Sequence, residues 1–320
     1  MEQSETCVKI SDDDGATWHE TARMSHELGM LFEYQGRLHL LGSEAGRGDM
    51  LIVVSDDEGD SWQPAVVLHR GRFWNTSSGK VICDNRLYWC FGAPNEEGEF
   101  NTRGSRTLAV VADLTRDLTN VDAWRFSEYL TYPGTPALLR RGLNDPYHDH
   151  WLEGNVVIVK GQLRVHWRVR IDGYATVGIC AICDLNDDGT RLDYRFAQFY
   201  PLPGGQNHFH IICDDATGIY WMTTTLPSHS QDQEFGGNQR RILALYCSFD
   251  ALNWLPAGYL IIWPSLRQSS NYVTPLIDGN DMLFASRTSH KAPNSHDNDL
   301  VTFHRVTNFR ELATRLIPEV

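Results

Sequence analysis

Four short stretches of this chain carry side chains of the kinds that bind metal ions. SDDDGATW at residues 11–18 and SDDEGDSW at 55–62 are acidic and glycine-centred, as calcium loops are. Cys180 and Cys183 have the C-x-x-C spacing of zinc sites. His148 and His150 in YHDHW form a His-x-His pair, and a strand would point both rings to one face. None of these sets is complete. An EF-hand loop needs flanking helices and a distant Glu; neither octapeptide has the helices. No second C-x-x-C follows the first, and no third ligand accompanies the histidines. The expectation is no metal and no other cofactor. Cys180 and Cys183 are then small hydrophobes in a buried strand, and the histidines belong to a surface loop.

The elements that surround these stretches are short. Apolar runs of roughly five to eight residues, often alternating, are separated by turn residues, as in GRLHLLGS, NRLYWCFGA, RTLAVVAD and GIYWMTTT. No long stretch has the periodicity of an amphipathic helix. Ten Trp, twelve Tyr and thirteen Phe favour strands, and 26 Gly with 13 Pro supply turns. The fold class is all-β. The octapeptides add a ruler: Trp18 and Trp62 are 44 residues apart. Degraded copies end at Trp124 and Trp254, and CDLNDDGTRLDY fills the gap between them. Sheets repeating at such intervals indicate a β-propeller. The count predicts one domain over residues 1–320 with six blades, the first shortened and completed partly by the C-terminal strand. The octapeptides are then turns, in which Ser and Asp bond turn amides, Gly takes a positive φ and Trp packs into the blade.

Charge and apolar content exclude some partners. The net charge of −13, with 41 acidic against 28 basic residues and no basic run, argues against nucleic acid and reads as solubility. No signal peptide and no apolar stretch of membrane-spanning length is present, so the chain reads as soluble with no membrane partner. The compartment stays open.

Ser11, Asp13, Gly15, Thr17 and Trp18 match the Asp-box S-x-D-x-G-x-[ST]-W, as do Ser55, Asp57, Gly59, Ser61 and Trp62. With two such boxes on a six-blade ruler, the chain resembles the sialidase superfamily. Three further stretches carry the resemblance. WLEGNVVIVKGQLRVHWRV places Glu153 fifteen residues before Arg168 across the turn KGQ, like the family's Glu and Arg on paired strands. RRILALYCSFDALNW resembles the run that opens on the third arginine of the family's carboxylate-binding triad, which maps to Arg240, or to Arg241 if the register slips by one. SSNYVTPLIDGNDMLFASRT resembles the segment of the nucleophilic tyrosine, here Tyr272.

The resemblance implies hydrolysis of a terminal acidic sugar from a glycan. A carboxylate nucleophile would be repelled by a sugar carrying its own carboxylate, whereas a neutral Tyr272 activated by Glu153 is not. Arg168 and Arg240 would clamp the sugar carboxylate bidentately. Taken singly, each residue has an ordinary structural use as a rim charge, an ion pair or a core ring. The family's first arginine, usually in F-R-I-P, and its catalytic Asp precede the first Asp-box, but here only MEQSETCVKI does. Two strands, a clamp residue and the general acid are therefore missing by that pattern, and Glu44, Arg47 and Asp49 of GSEAGRGDM are candidate substitutes.

The C-terminal half is closer to a less-characterised branch, through WLEGN, LPGGQNHFHI, SRTS and SHDNDLVTFHRVTNFREL. There His296, Asp297 and Asn298 form a polar cluster able to contact sugar hydroxyls, or simply a satisfied turn. Two other functions remain open. In a propeller-type uronate lyase the same Tyr, His and Arg would serve elimination, and in a glycan-binding propeller they would serve recognition alone.

Overall fold

The computed structural model describes residues 5–139, 149–171, 178–228 and 239–314. Thr6–Ile10 (β1) and His19–Met24 (β2) form a two-stranded ribbon. Five antiparallel meanders follow in chain order. Blade one is His26–Tyr34 (β3), Arg37–Glu44 (β4), Met50–Ser55 (β5) and Val66–His69 (β6). Blade two is Val81–Cys83 (β7), Arg86–Ala93 (β8), Arg106–Asp113 (β9) and Trp124–Phe126 (β10), with Leu130–Thr131 (β11) also paired to β9. Blade three is His150–Val159 (β12), Gln162–Arg170 (β13), Ile179–Asp187 (β14) and Leu192–Pro201 (β15). Blade four is Phe209–Cys213 (β16), Tyr220–Leu226 (β17), Ile242–Ser248 (β18) and Leu255–Ile262 (β19). Blade five is Ser269–Asp278 (β20), Asp281–Ser289 (β21) and Leu300–Val306 (β22).

The cores lie between blades. Side chains alternate across each strand, so adjacent residues serve different interfaces. Trp89 joins Met30 and Ile52 between blades one and two, whereas its neighbour Tyr88 joins Val165 and Trp167 between two and three. Met222 faces blade three and Trp221 faces Met282 of blade five. A central strand covered on both faces reads as a continuous apolar run, and MLIVVS of β5 is buried throughout. The same alternation separates Cys180 and Cys183, which face blades four and two respectively. An odd spacing on a strand cannot make them ligands of one metal. Both are buried free thiols, as expected.

The blade count differs from the expected six. Five blades are present, and the ribbon stands where a further blade was expected. A turn repeat does not by itself mark a blade: the first turn joins two strands with no inner pair beside them. Nor does the C-terminal strand complete the ribbon, since β22 pairs with β21. The ribbon instead touches both of its neighbours. Thr6 Oγ1 donates to the His26 carbonyl of β3, and Trp18 meets Phe303 of β22 edge-on at 5.5 Å.

Both octapeptides fold as hydrogen-bonded turns. In the second, Ser55 Oγ donates to Asp57 Oδ1 at 2.8 Å and accepts from Gly59 N at 2.8 Å, and Asp57 accepts from Ser61 N at 2.9 Å. Trp62 Nε1 closes on the Gly59 carbonyl at 3.1 Å. The first repeats every one of these bonds. Its Trp18, however, is 48% exposed rather than packed into a blade, because the ribbon has no inner strands to cover it. Among the described residues the only α-helix is Glu311–Thr314 (α1), and no helix is long and apolar enough to cross a membrane.

Candidate active site

Three innermost strands lose register at corresponding points: β3 between Glu27 and Met30, β12 between Trp151 and Gly154, and β20 between Asn271 and Thr274. A bulge inserts a residue and re-aims its side chain. Here Glu27, Glu153 and Tyr272 all line one cavity of about 660 Å³. Tyr272 has φ 52, in the left-handed region, where a residue bearing a Cβ is strained by about 1 kcal/mol or more. Its neighbour Asn271 anchors the bulge, donating to Ser269 Oγ at 2.7 Å and the Ser295 carbonyl at 3.2 Å.

Arg168 is the hub. Its Nη1 lies 3.0 Å from both Glu153 carboxylate oxygens and 3.5 Å from the Tyr272 hydroxyl. Its Nε donates to the Gln206 carbonyl at 2.9 Å, and Gln206 Oε1 accepts from Ile171 N at the end of the same hairpin. The turn GGQNH therefore holds Arg168 from the next blade. Above the Tyr272 ring lie two more guanidiniums, Arg240 at 5.3 Å and Arg287 at 5.1 Å from the centroid. Arg287 also donates to the His296 carbonyl at 2.6 Å. His208 packs against Tyr272 at 4.8 Å between ring centroids.

Charge is unevenly matched in this cavity. Among the described residues Arg47, Arg168, Arg170, Arg240 and Arg287 line it against Glu27 and Glu153, in a protein of net charge −13. Arg240 is fully buried, yet its Nε and Nη1 have no hydrogen-bond partner. Burial pulls its pKa below the usual arginine value. Burial and Glu153 push the Tyr272 hydroxyl up, but Arg240 and Arg168 overcome both and hold it below the usual tyrosine value. His208 is driven down to about 3 by burial, then by Arg168 and Arg240, so it is neutral at physiological pH. A buried guanidinium with two unpaired nitrogens beside a phenol of lowered pKa is an arrangement suited to an anionic ligand and a nucleophile.

Glu153, Arg168, Arg240 and Tyr272, expected from sequence, thus meet at one cavity. Arg241 does not line it, and binds Ser228 Oγ and the Trp263 carbonyl instead. Of the polar cluster, His296 lines the cavity. Asp297 and Asn298 are exposed and do not: Asp297 is taken up by Asn294 and by His296 Nδ1 at 3.1 Å, and Asn298 reaches only the Leu300 carbonyl. Of the substitutes in GSEAGRGDM only Arg47 lines the cavity. Glu44 is exposed, and Asp49 accepts from Arg70 and from Gly71 N. Asp13 and Asp57 of the octapeptide turns are not among the lining residues. His150 does line it, whereas His148 lies outside the described residues. Among the described residues no three His, Cys, Asp or Glu side chains gather as a metal site.

Sequence reasoning missed Glu27, His208 and Arg287. Arg287 and His208 stand inside SRTS and GGQNH, and only cross-strand register could have flagged Arg287: it lies opposite Asn271, one residue from Tyr272. Glu27 precedes a Leu-Gly pair in which Leu28 has φ 55, a bulge that residue types do not announce.

No family model matches the chain, and no curated protein matches it. Solved structures do align. An alpha-L-arabinofuranosidase from Lactobacillus brevis gives a TM-score of 0.52 at 11% identity, covering 88% of this chain and 91% of that one. An alpha-L-arabinanase from Penicillium chrysogenum, complexed with arabinobiose, gives 0.52 at 12% identity over 95% and 85%. A Trypanosoma rangeli sialidase in complex with sialic acid gives 0.44 at 13% identity over 99% and 61%. At such identities the likeness to the first two is one of fold, and the fold is an all-β propeller.

Proposed function

We propose that this chain, acting as one propeller domain over residues 1–320, is a sialidase-like glycoside hydrolase that removes a terminal acidic sugar from a glycan. The observation that carries the reading is the sharing of Arg168 Nη1 by Glu153 and Tyr272, in a cavity where Nε and Nη1 of buried Arg240 have no hydrogen-bond partner among the described residues. The aligned solved structures named as an arabinofuranosidase and an arabinanase add support for a carbohydrate substrate.

In this reading Arg240, Arg168 and Arg287 hold the sugar carboxylate. Glu153 accepts the phenolic proton as Tyr272 Oη forms a bond to the anomeric carbon. The bond to the leaving oxygen breaks, and that oxygen takes a proton from Glu27, the other carboxylate in the cavity. Glu27 then removes a proton from water, whose oxygen displaces Tyr272 and releases the sugar; the phenol recovers its proton from Glu153. Each proton lent is returned.

A second reading rests on neutral His208 against the Tyr272 ring. The Tyr272 phenolate would then take the proton next to a uronate carboxylate held by Arg240; a C=C bond forms as the bond to the glycosidic oxygen breaks, and Tyr272 returns that proton to the leaving oxygen. One screen of acidic oligosaccharides separates the outcomes. New reducing ends without ultraviolet absorbance support hydrolysis, an unsaturated-uronate absorbance supports elimination, and binding without turnover leaves a lectin-like propeller.

A further inference from the structure

The wall of the cavity formed by blades one and two holds a second cationic group, away from Tyr272. Arg47, in the loop between β4 and β5, stacks its guanidinium over Trp74 at 5.4 Å and Phe100 at 4.8 Å. Arg72 covers Phe100 from 5.0 Å and donates to the Gly98 carbonyl. Arg47 itself has φ 61, in the left-handed region, and its backbone is pinned there: Glu27 Oε2 accepts from Gly46 N at 2.7 Å and Arg47 N at 3.0 Å.

The Arg47 guanidinium, partly buried, has no hydrogen-bond or ion-pair partner among the described residues. Stacking fixes the plane of the guanidinium and leaves its N–H edge to a ligand. Glu153 is already engaged by Arg168, and one sugar carboxylate would be met by Arg168, Arg240 and Arg287 of blades three to five. That leaves Arg47 with Glu27 beside it, a carboxylate whose Oε2 is already taken up by the Gly46 and Arg47 amides. A cavity of about 660 Å³ also holds more than a single sugar ring.

From this geometry we infer that Arg47 forms a second anion subsite, so that the ligand is a dianionic glycan segment: an acidic terminal sugar followed by a residue bearing a sulfate ester or carboxylate. The inference rests on the reading of the cavity as an acidic-sugar site and extends it to the neighbouring residue.

Calorimetric titration of the full chain tests it with three disaccharides. The first is a sialic acid on a neutral hexose, the second is the same with a sulfate ester on the hexose, and the third is two linked sialic acids. At least one dianion should bind about tenfold more tightly than the first compound, since it gains a charge-assisted bidentate contact. The dianion with the larger gain identifies the second anion. Arg47→Gln should erase the gain, Arg47→Lys should keep part of it, and Arg240→Gln should weaken all three compounds. Equal affinity for all three, or a gain that survives Arg47→Gln, overturns the second subsite and leaves the first standing. Binding of none of the three overturns the acidic-sugar reading with it.

Discussion

Glu153 and Tyr272 come from blades three and five and meet through one nitrogen atom, Arg168 Nη1. Both stand at bulges of innermost strands, where an inserted residue turns a side chain to the common cavity. In the proposed reaction the relationship sets an acid–base partner beside a nucleophile, with the cation between them lowering the cost of negative charge on either. Burial works against the Arg168 charge, but Glu153 and Tyr272 more than restore it. The guanidinium therefore stays charged where it is needed.

If Arg240 is kept to hold an acidic sugar, it should lower the stability of the ligand-free protein. Its buried Nε and Nη1 are unpartnered, so Arg240→Met should stabilise the ligand-free protein by about 1–3 kcal/mol. The same change should abolish binding of acidic sugars. Thermal unfolding of the variant, with and without an acidic oligosaccharide, checks both halves: a higher Tm that no longer responds to ligand is expected, and a lower one contradicts it.

If Glu27 supplies the leaving-group proton, Glu27→Gln should lower kcat on a natural glycan on the order of 10²–10³-fold. An aryl glycoside, whose phenolate leaves without help, should lose far less. Comparing the two substrates separates an acid from a residue that merely holds the Arg47 loop, because the latter would slow both alike.

Strand class and the four central residues were legible in the sequence for different reasons. Alternating runs such as NRLYWCFGA determine which side faces which blade, and Glu153, Arg168, Arg240 and Tyr272 stand in stretches that resemble a known arrangement. Blade number was not legible. A turn octapeptide has the same bonds whether it closes a full blade or a bare two-stranded ribbon, as Asp13 and Asp57 show. Nor was Arg287, whose place over Tyr272 arises from pairing of β20 with β21 and from a bulge between them. Asp297 and Asn298 looked like His296 in sequence, yet only His296 faces the cavity.

Buried neutral histidines make stability depend on acid. His166 and His208 are driven to about 3 chiefly by burial, from an ordinary value of 6.5. Unfolded, each takes up a proton near the ordinary value; folded, it does so only near the depressed one. Protons in that interval favour the unfolded chain. Stability should therefore be full above about pH 6.5 and fall as pH drops, by about 1.4 kcal/mol per unit for each histidine. Urea midpoints at about pH 7.5 and about pH 5 measure the slope. His166→Leu, which removes two unpartnered nitrogens, should make it shallower.

The octapeptide turns should matter to the fold and not to chemistry. Asp57→Ala leaves the Ser61 amide and the Ser55 hydroxyl without their turn acceptor, which should lower stability. Denaturant unfolding would show that loss while kcat on any turned-over glycan stays unchanged. A large fall in kcat would place the turn in the site.

The most direct test of the central claim is steady-state turnover by Tyr272→Phe, paired with binding of the same acidic oligosaccharide. Only the hydroxyl is removed, and the ring that Arg240, Arg287 and His208 pack against remains. The account predicts that kcat falls on the order of 10³-fold or more while affinity changes by less than about threefold. Turnover near the wild-type rate would contradict it, and would remove Tyr272 from the chemistry of this cavity.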